Sequence, residues 1–84
     1  MRLIGKSSLQ KLRVNNDDVN RWINIWCAEM SHAHWKDPAD VTKQFPRAIK
    51  KDSSSFAFPI GDYGQFITVS FLFPQGVAVI VEPN

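Results

Sequence analysis

The hydrophobic period changes halfway along this chain. In the first half Val19, Trp22, Ile23, Trp26, Met30 and Ala33 recur at helical spacing, with Cys27 beside them, so they share one face of an α-helix. In the second half Phe56, Phe58 and Ile60 alternate with Ala57 and Pro59. Ile67, Val69, Phe71 and Phe73 alternate in the same way with Phe66, Thr68, Ser70 and Leu72. That is the period of two of a half-buried strand. A chain of 84 residues has room for one domain. It must therefore lay a helical half on a strand half.

The ends of the elements can be read from their capping chemistry. Asn16 is a good N-cap, and Asp17 and Asp18 occupy the first turn, where the helix dipole favours negative charge. This predicts a helix from residue 17 to about residue 34. Before it, Arg2–Ile4 reads as an edge strand stopped by Gly5, and Ser7 or Ser8 would cap a short helix through Leu9 and Leu12 that ends near Asn15 and Asn16. In the stretch HWKDPADVTKQFPRA, Trp35 reads as a helix terminus, and Asp37 as the cap of a second turn of helix with Pro38 at its first position. Pro46 stops that turn.

Beyond Pro46 the chain turns at Ser53–Ser55, Gly61–Gly64 and Pro74–Gly76. Three strands fall between and after these turns, the last being Val77–Val81, buried on its composition. Pro59 donates no amide hydrogen, so its strand lies at an edge or is irregular there. Short turns between consecutive strands imply an antiparallel meander. The predicted fold is α+β: a single domain over residues 1–84, with two N-terminal helices packed on a small antiparallel sheet.

Composition narrows the setting. One cysteine, Cys27, cannot close an internal disulfide, which favours a reducing, cytoplasmic environment. The opening residues carry no apolar core of signal-peptide length, and no apolar run approaches the roughly 20 residues of a membrane helix. The formal net charge is only +2, but Lys43, Arg47, Lys50 and Lys51 lie within nine residues that contain no acid. Such a run attracts phosphate, and these four are the candidate RNA-binding residues.

The other residues with chemical potential have structural roles on their spacing. His32 and His34 point about 200° apart on a helix, a poor pair for one metal, and no Glu-x-x-His or cysteine partner is near. No metal and no cofactor is expected. Cys27 falls on the packing side of its helix and reads as a buried, inert thiol. The serines lack a nucleophile context, and there is no Gly-rich phosphate loop. Asp37, with Pro38 at the first helical position, reads as an N-cap, so Asp37 and Asp40 read as structure rather than as an acid/base pair. Trp22 and Trp26, one turn apart, offer a base-stacking platform, but their register with Val19, Ile23 and Met30 reads as core. Metal-free RNA cleavage needs cations, a base and an acid. Its acid and base would come from His32, His34 or Tyr63, and the spacing selects none of them, so the catalytic residues stay unassigned.

Three stretches together resemble a known family. They are MRLIGKSSLQKL, the W-K-D-P-A-D-V-x-x-x-F-P-x-A pattern from Trp35 to Ala48, and F-x-F-x-I-G-D from Phe56 to Asp62. The chain is similar over Met1 to about Val81 to the HigB-like toxins, a branch of the RelE/ParE superfamily of toxin–antitoxin modules. The resemblance implies helices on a small antiparallel sheet in a cytoplasmic bacterial or phage protein. It also implies metal-independent cleavage of messenger RNA, often on the ribosome, and silencing by a cognate antitoxin. Two features depart from the family pattern. An aromatic–arginine pair usually enters the strand after the hairpin, where this chain has Gly64-Gln65-Phe66. A threonine–histidine–x–x–tyrosine–aspartate segment usually follows the last strand, where this chain has Glu82-Pro83-Asn84.

Three functions remain open on these residues. One is an active RNA-cleaving toxin. The second is a non-catalytic relative that binds RNA, the ribosome or a protein. The third is a phage or mobile-element inhibitor that binds a host protein.

Overall fold

The computed structural model describes residues 1–12 and 16–81. Strand β1 (Arg2–Ile4) leads through a 3-10 helix (Lys6–Lys11) to α1 (Asp17–His32) and α2 (Pro38–Gln44). There follow β2 (Ile49–Lys50), β3 (Ser55–Pro59), β4 (Phe66–Leu72) and, after a one-turn 3-10 segment at Phe73–Gln75, β5 (Val77–Val81). The fold is α+β, with helices on one face of a five-stranded sheet of order β1-β5-β4-β3-β2. The meander of β3, β4 and β5 is antiparallel as expected. The sheet as a whole is mixed, because β1 joins β5 in parallel, Arg2 against Val77 and Ile4 against Val79. Gly5 makes the exit from β1 at φ 93°, and a Cβ there would stand 3.1 Å from the Ile80 carbonyl oxygen, so position 5 needs both the backbone freedom and the missing side chain.

Capping fixes the two α-helices. The Asn16 side chain accepts from the Asp18 and Val19 amides at 3.0 and 3.2 Å. Asp37 does the same for Ala39 and Asp40 at 3.0 and 3.3 Å, with Pro38 at the first helical position. Asp40 is a second such carboxylate, accepting the Lys36 amide at 2.9 Å. Several predicted boundaries move. Helix α1 ends at His32, with Ala33 already extended, so Trp35 belongs to the connector and is not a helix terminus. Gly5, not Ser7 or Ser8, stands at the N-cap of the 3-10 helix, without a side-chain hydrogen bond. That helix ends at Lys11 with Leu12 as its C-cap, short of the expected end near Asn15 and Asn16, of which Asn15 lies outside the described residues.

The core forms between α1 and one sheet face. Val19, Ile23, Trp26 and Met30 from the helix meet Phe56, Phe58, Ile67, Val69, Phe71, Ala78 and Ile80 from the strands, all buried. Aromatic rings carry much of the contact. Trp26 meets Phe58 edge-on at 5.5 Å, and Phe45 meets Phe58 at 5.3 Å. Trp35 lies between Phe45 and Phe71, at 5.9 and 5.6 Å. Such pairs add about 0.5–1.5 kcal/mol each beyond the area they bury.

No described helix covers the other face of the sheet. Among the described residues, five of the seven large apolar residues that remain exposed sit on it: Ile4, Ile49, Phe66, Leu72 and Val81. Strand β5 is therefore not buried throughout as its composition suggested; Ala78 and Ile80 are buried, while Val77 and Val79 are half-buried and Val81 is exposed. Pro59 is tolerated because β2 pairs only with Ala57 and Phe56, which leaves the outer side of β3 unpaired at Pro59.

Candidate nucleic-acid interface

The four cations of the 43–51 segment occupy three local settings. Lys43 is in the last turn of α2, where a positive charge favours the helix dipole. Arg47 lies in the connector, and its guanidinium reaches the β3–β4 turn, donating to the Gly61 carbonyl at 3.3 Å and to Asp62 at 3.4 Å. Both ends of that ion pair are largely exposed, at 66% and 96%, so it holds Arg47 only weakly. Lys50 and Lys51 follow on the β2 edge. Lys50 is opposite Phe56, on the helix-covered side, whereas Lys51 lines a groove on the open side with Ile49, Ala57, Gln65, Phe66 and Thr68.

Strand alternation thus divides the cluster. Lys43, Arg47 and Lys50 belong to the side that carries the helices, and Lys51 to the other. Among the described residues, Arg47–Asp62 is the only ion pair that any of these four makes. Carboxylates are distributed differently. The five strands contain Arg2 and Lys50 and no acid, while Asp17, Asp18, Glu29 and Asp40 lie on the α-helices.

A second groove opens where α1 faces the α2–β2 connector. Its volume is about 210 Å³, and Trp22, Ile25, Trp26, Phe45, Pro46 and Phe58 provide most of its wall. Glu29, Gln44 and Arg47 supply its polar groups. Trp22 and Trp26 are stacked with centroids 6.5 Å apart and planes 12° from parallel. Trp26 is core, as read from the sequence, but its indole nitrogen is buried with no hydrogen-bond partner. Trp22 is half-buried and presents part of its ring to this groove.

The remaining sequence candidates lie apart from one another. The Nδ1 of His32 is 2.8 Å from the Ala28 carbonyl within α1. His34 lies in the connector, in a shallow depression with Arg2, Lys36 and Gln75. Tyr63 sits in the β3–β4 turn, where partial burial, and after it the Asp18 carboxylate, raises the phenol above its usual 10.0. The structure does not gather these three into one site. Cys27 is half-buried against the core rather than fully buried. No group of three or more His, Cys, Asp or Glu side chains converges among the described residues. No described helix is long and apolar enough to cross a membrane.

Sequence reasoning found the cations but missed the groove and strand β2. The groove joins residues 22–29 to residues 44–48, a pairing no local pattern reveals. One signal was available: Trp22 lies toward the border of its helical stripe, where a large aromatic is only partly covered. No family model matches the chain, and no curated protein or solved structure matches it.

Proposed function

We propose that this chain is a HigB-like domain that binds single-stranded RNA along the cationic edge formed by the end of α2, its connector and β2. The observation that carries the reading is the exposure of Lys43, Arg47, Lys50 and Lys51, all within nine consecutive residues that contain no acid. Cations at such an edge neutralise phosphates and release counterions. The exposed Phe66 beside Lys51 adds a ring face for a base.

Binding without cleavage is the form that the lining of the open groove favours. Around Lys51 stand an amide (Gln65), a hydroxyl (Thr68) and apolar groups. Cutting a phosphodiester without a metal needs a base and an acid on the same phosphate. His32, His34 and Tyr63 are carried by three separate parts of the fold. The reading places the domain in the cytoplasm, with messenger RNA or the ribosome as its target and an antitoxin as its protein partner. The exposed apolar residues of the open sheet face favour such a protein contact.

The test is fluorescence anisotropy with a labelled single-stranded RNA over a salt series. Binding should weaken linearly in log–log form with salt. Lys50→Glu with Lys51→Glu should reduce it at least about tenfold, and gel analysis should show intact RNA. Salt-independent or absent binding would remove the reading. Cut RNA would restore the active-toxin alternative, and capture of a host protein without RNA the inhibitor alternative.

A further inference from the structure

The groove between α1 and the α2–β2 connector has a lining that neither its size nor a core role explains. Here two stacked indoles form one wall and Phe45 with Pro46 another, while Glu29, Gln44 and Arg47 reach its border. Trp26 also lines it, and its buried indole nitrogen has no hydrogen-bond partner. The volume of about 210 Å³ is below that of a drug-sized pocket but ample for one planar heterocycle.

The geometry points to this groove as a nucleobase pocket: a purine of a bound RNA, guanine best, lies against Trp22 while its phosphate meets Arg47. The inference deepens the RNA-binding reading and rests on it for the occupant. Four features support that occupant. Ring faces accept any base through stacking, whereas the polar groups add selection. The Glu29 carboxylate accepts hydrogen bonds, and guanine presents two adjacent N–H donors on its pairing edge. Gln44 uses its carbonyl oxygen to accept from Trp35, which leaves its amide N–H groups as donors. Arg47 is tied only by long, exposed contacts to Gly61 and Asp62, so phosphate can replace them at little cost. Lys43 and Lys50 lie on the same side of the sheet edge as Arg47, which complements the charge of the flanking nucleotides.

The site differs from the open-face groove at Lys51, which lies on the other side of the sheet. One RNA strand crossing the β2 edge would meet both. The domain would then hold RNA by straddling its own edge strand, with one base turned toward α1.

The test combines a mononucleotide titration with RNA binding. Guanosine monophosphate is added to isotope-labelled protein, and the indole N–H resonances of Trp22 and Trp26 are followed. Saturable shifts are expected, weaker with uridine monophosphate and weakened about tenfold by Trp22→Ala. Arg47→Glu, at an exposed position, provides a second variant with little risk to folding and should also weaken binding several-fold. Glu29→Gln should narrow the preference for guanine over adenine. Absence of saturable shifts overturns the pocket, as do equal shifts with ribose phosphate, or with a short acidic peptide carrying one aromatic residue. The RNA arm separates the two ideas. If a short RNA binds the intact protein as well when its nucleotides are abasic, and Trp22→Ala changes nothing, the pocket fails and RNA binding stands. If guanosine monophosphate binds but RNA does not, the RNA reading fails and the pocket is a nucleotide site.

Discussion

The indole nitrogen of Trp35 donates a 3.1 Å hydrogen bond to Oε1 of Gln44. That bond joins the connector leaving α1 to the last residue of α2. The same indole ring is buried between Phe45 and Phe71. Trp35 therefore secures α2 to the sheet at one end and to the groove-lining residues 44–48 at the other. The bond is part-buried, so removing the acceptor leaves an indole N–H short of a partner, at a cost of about 1–3 kcal/mol. Gln44→Leu should lower the free energy of unfolding by that amount in urea titration, with the slope unchanged. A loss below a few tenths of a kcal/mol would show that water replaces the amide.

The two helix caps should behave alike despite their different residues. Asn16 and Asp37 each accept two backbone amides of the following turn. Alanine at either position should cost about 1 kcal/mol. The sites are separated along the chain and share no partner, so the double variant should cost the sum of the two. Thermal unfolding of the single and double variants checks this. A double variant no worse than one single would mean that α1 and α2 do not unfold together.

These caps also show what made part of the fold legible. Asn16 and Asp37 accept amides within three residues of themselves, and Pro38 fits the first helical position by its own ring, so their signals are local and can be read from sequence. Strand β2 has no such signal. Its two residues are extended because Ala57 and Phe56 pair with them, and nothing in Ile49-Lys50 alone requires it. The parallel register of β1 on β5 likewise comes from partners more than seventy positions away. Val77–Val81 misled for a different reason. Five apolar residues in a row hide an alternation between a covered and an open sheet face, because the open face is apolar too. The candidate site inherits these gaps. The cations were visible as a run, but their division across β2 depends on a strand that sequence did not show.

Asp52 gives the loop before β3 a defined response to acid. Its carboxylate accepts the Ser54 amide at 2.9 Å, and that bond chiefly holds its pKa below the usual 3.8; desolvation opposes it, and Ser55 assists. The folded chain binds this proton less tightly than the unfolded chain does. The contribution is thus fully present above 3.8 and is lost as pH falls through the lower folded value. Carbon-detected titration of the Asp52 carboxyl should give a midpoint below that of an unstructured aspartate. Ser54→Pro, which removes the amide donor, should return the midpoint toward 3.8. A midpoint already at or above that value in the parent chain would mean that the loop does not hold this turn in solution.

The two faces of β4 make the sharpest stability contrast in the molecule. Ile67 is completely buried beneath α1, whereas Leu72, on the opposite face, is 50% exposed. Both are aliphatic residues of the same size in one strand, and β-propensity, which spans only about 1 kcal/mol, separates their replacements little. Burial does not. Truncating Ile67 removes apolar area and leaves a cavity that rigid neighbours fill only in part, a loss of about 2–5 kcal/mol. A domain of this size has little stability in reserve, so Ile67→Ala should be partly unfolded at room temperature. Leu72→Ala removes a half-solvated side chain and should cost no more than about 1 kcal/mol. If a protein partner covers the open face, the order reverses in a binding assay. Leu72→Ala, still folded, should then lose affinity for that partner while keeping its affinity for RNA. Urea titration of both variants checks the first half of this prediction. Equal losses would mean that the open face is already covered in the free protein, by a second copy of the chain, and the unfolding midpoint would then rise with protein concentration.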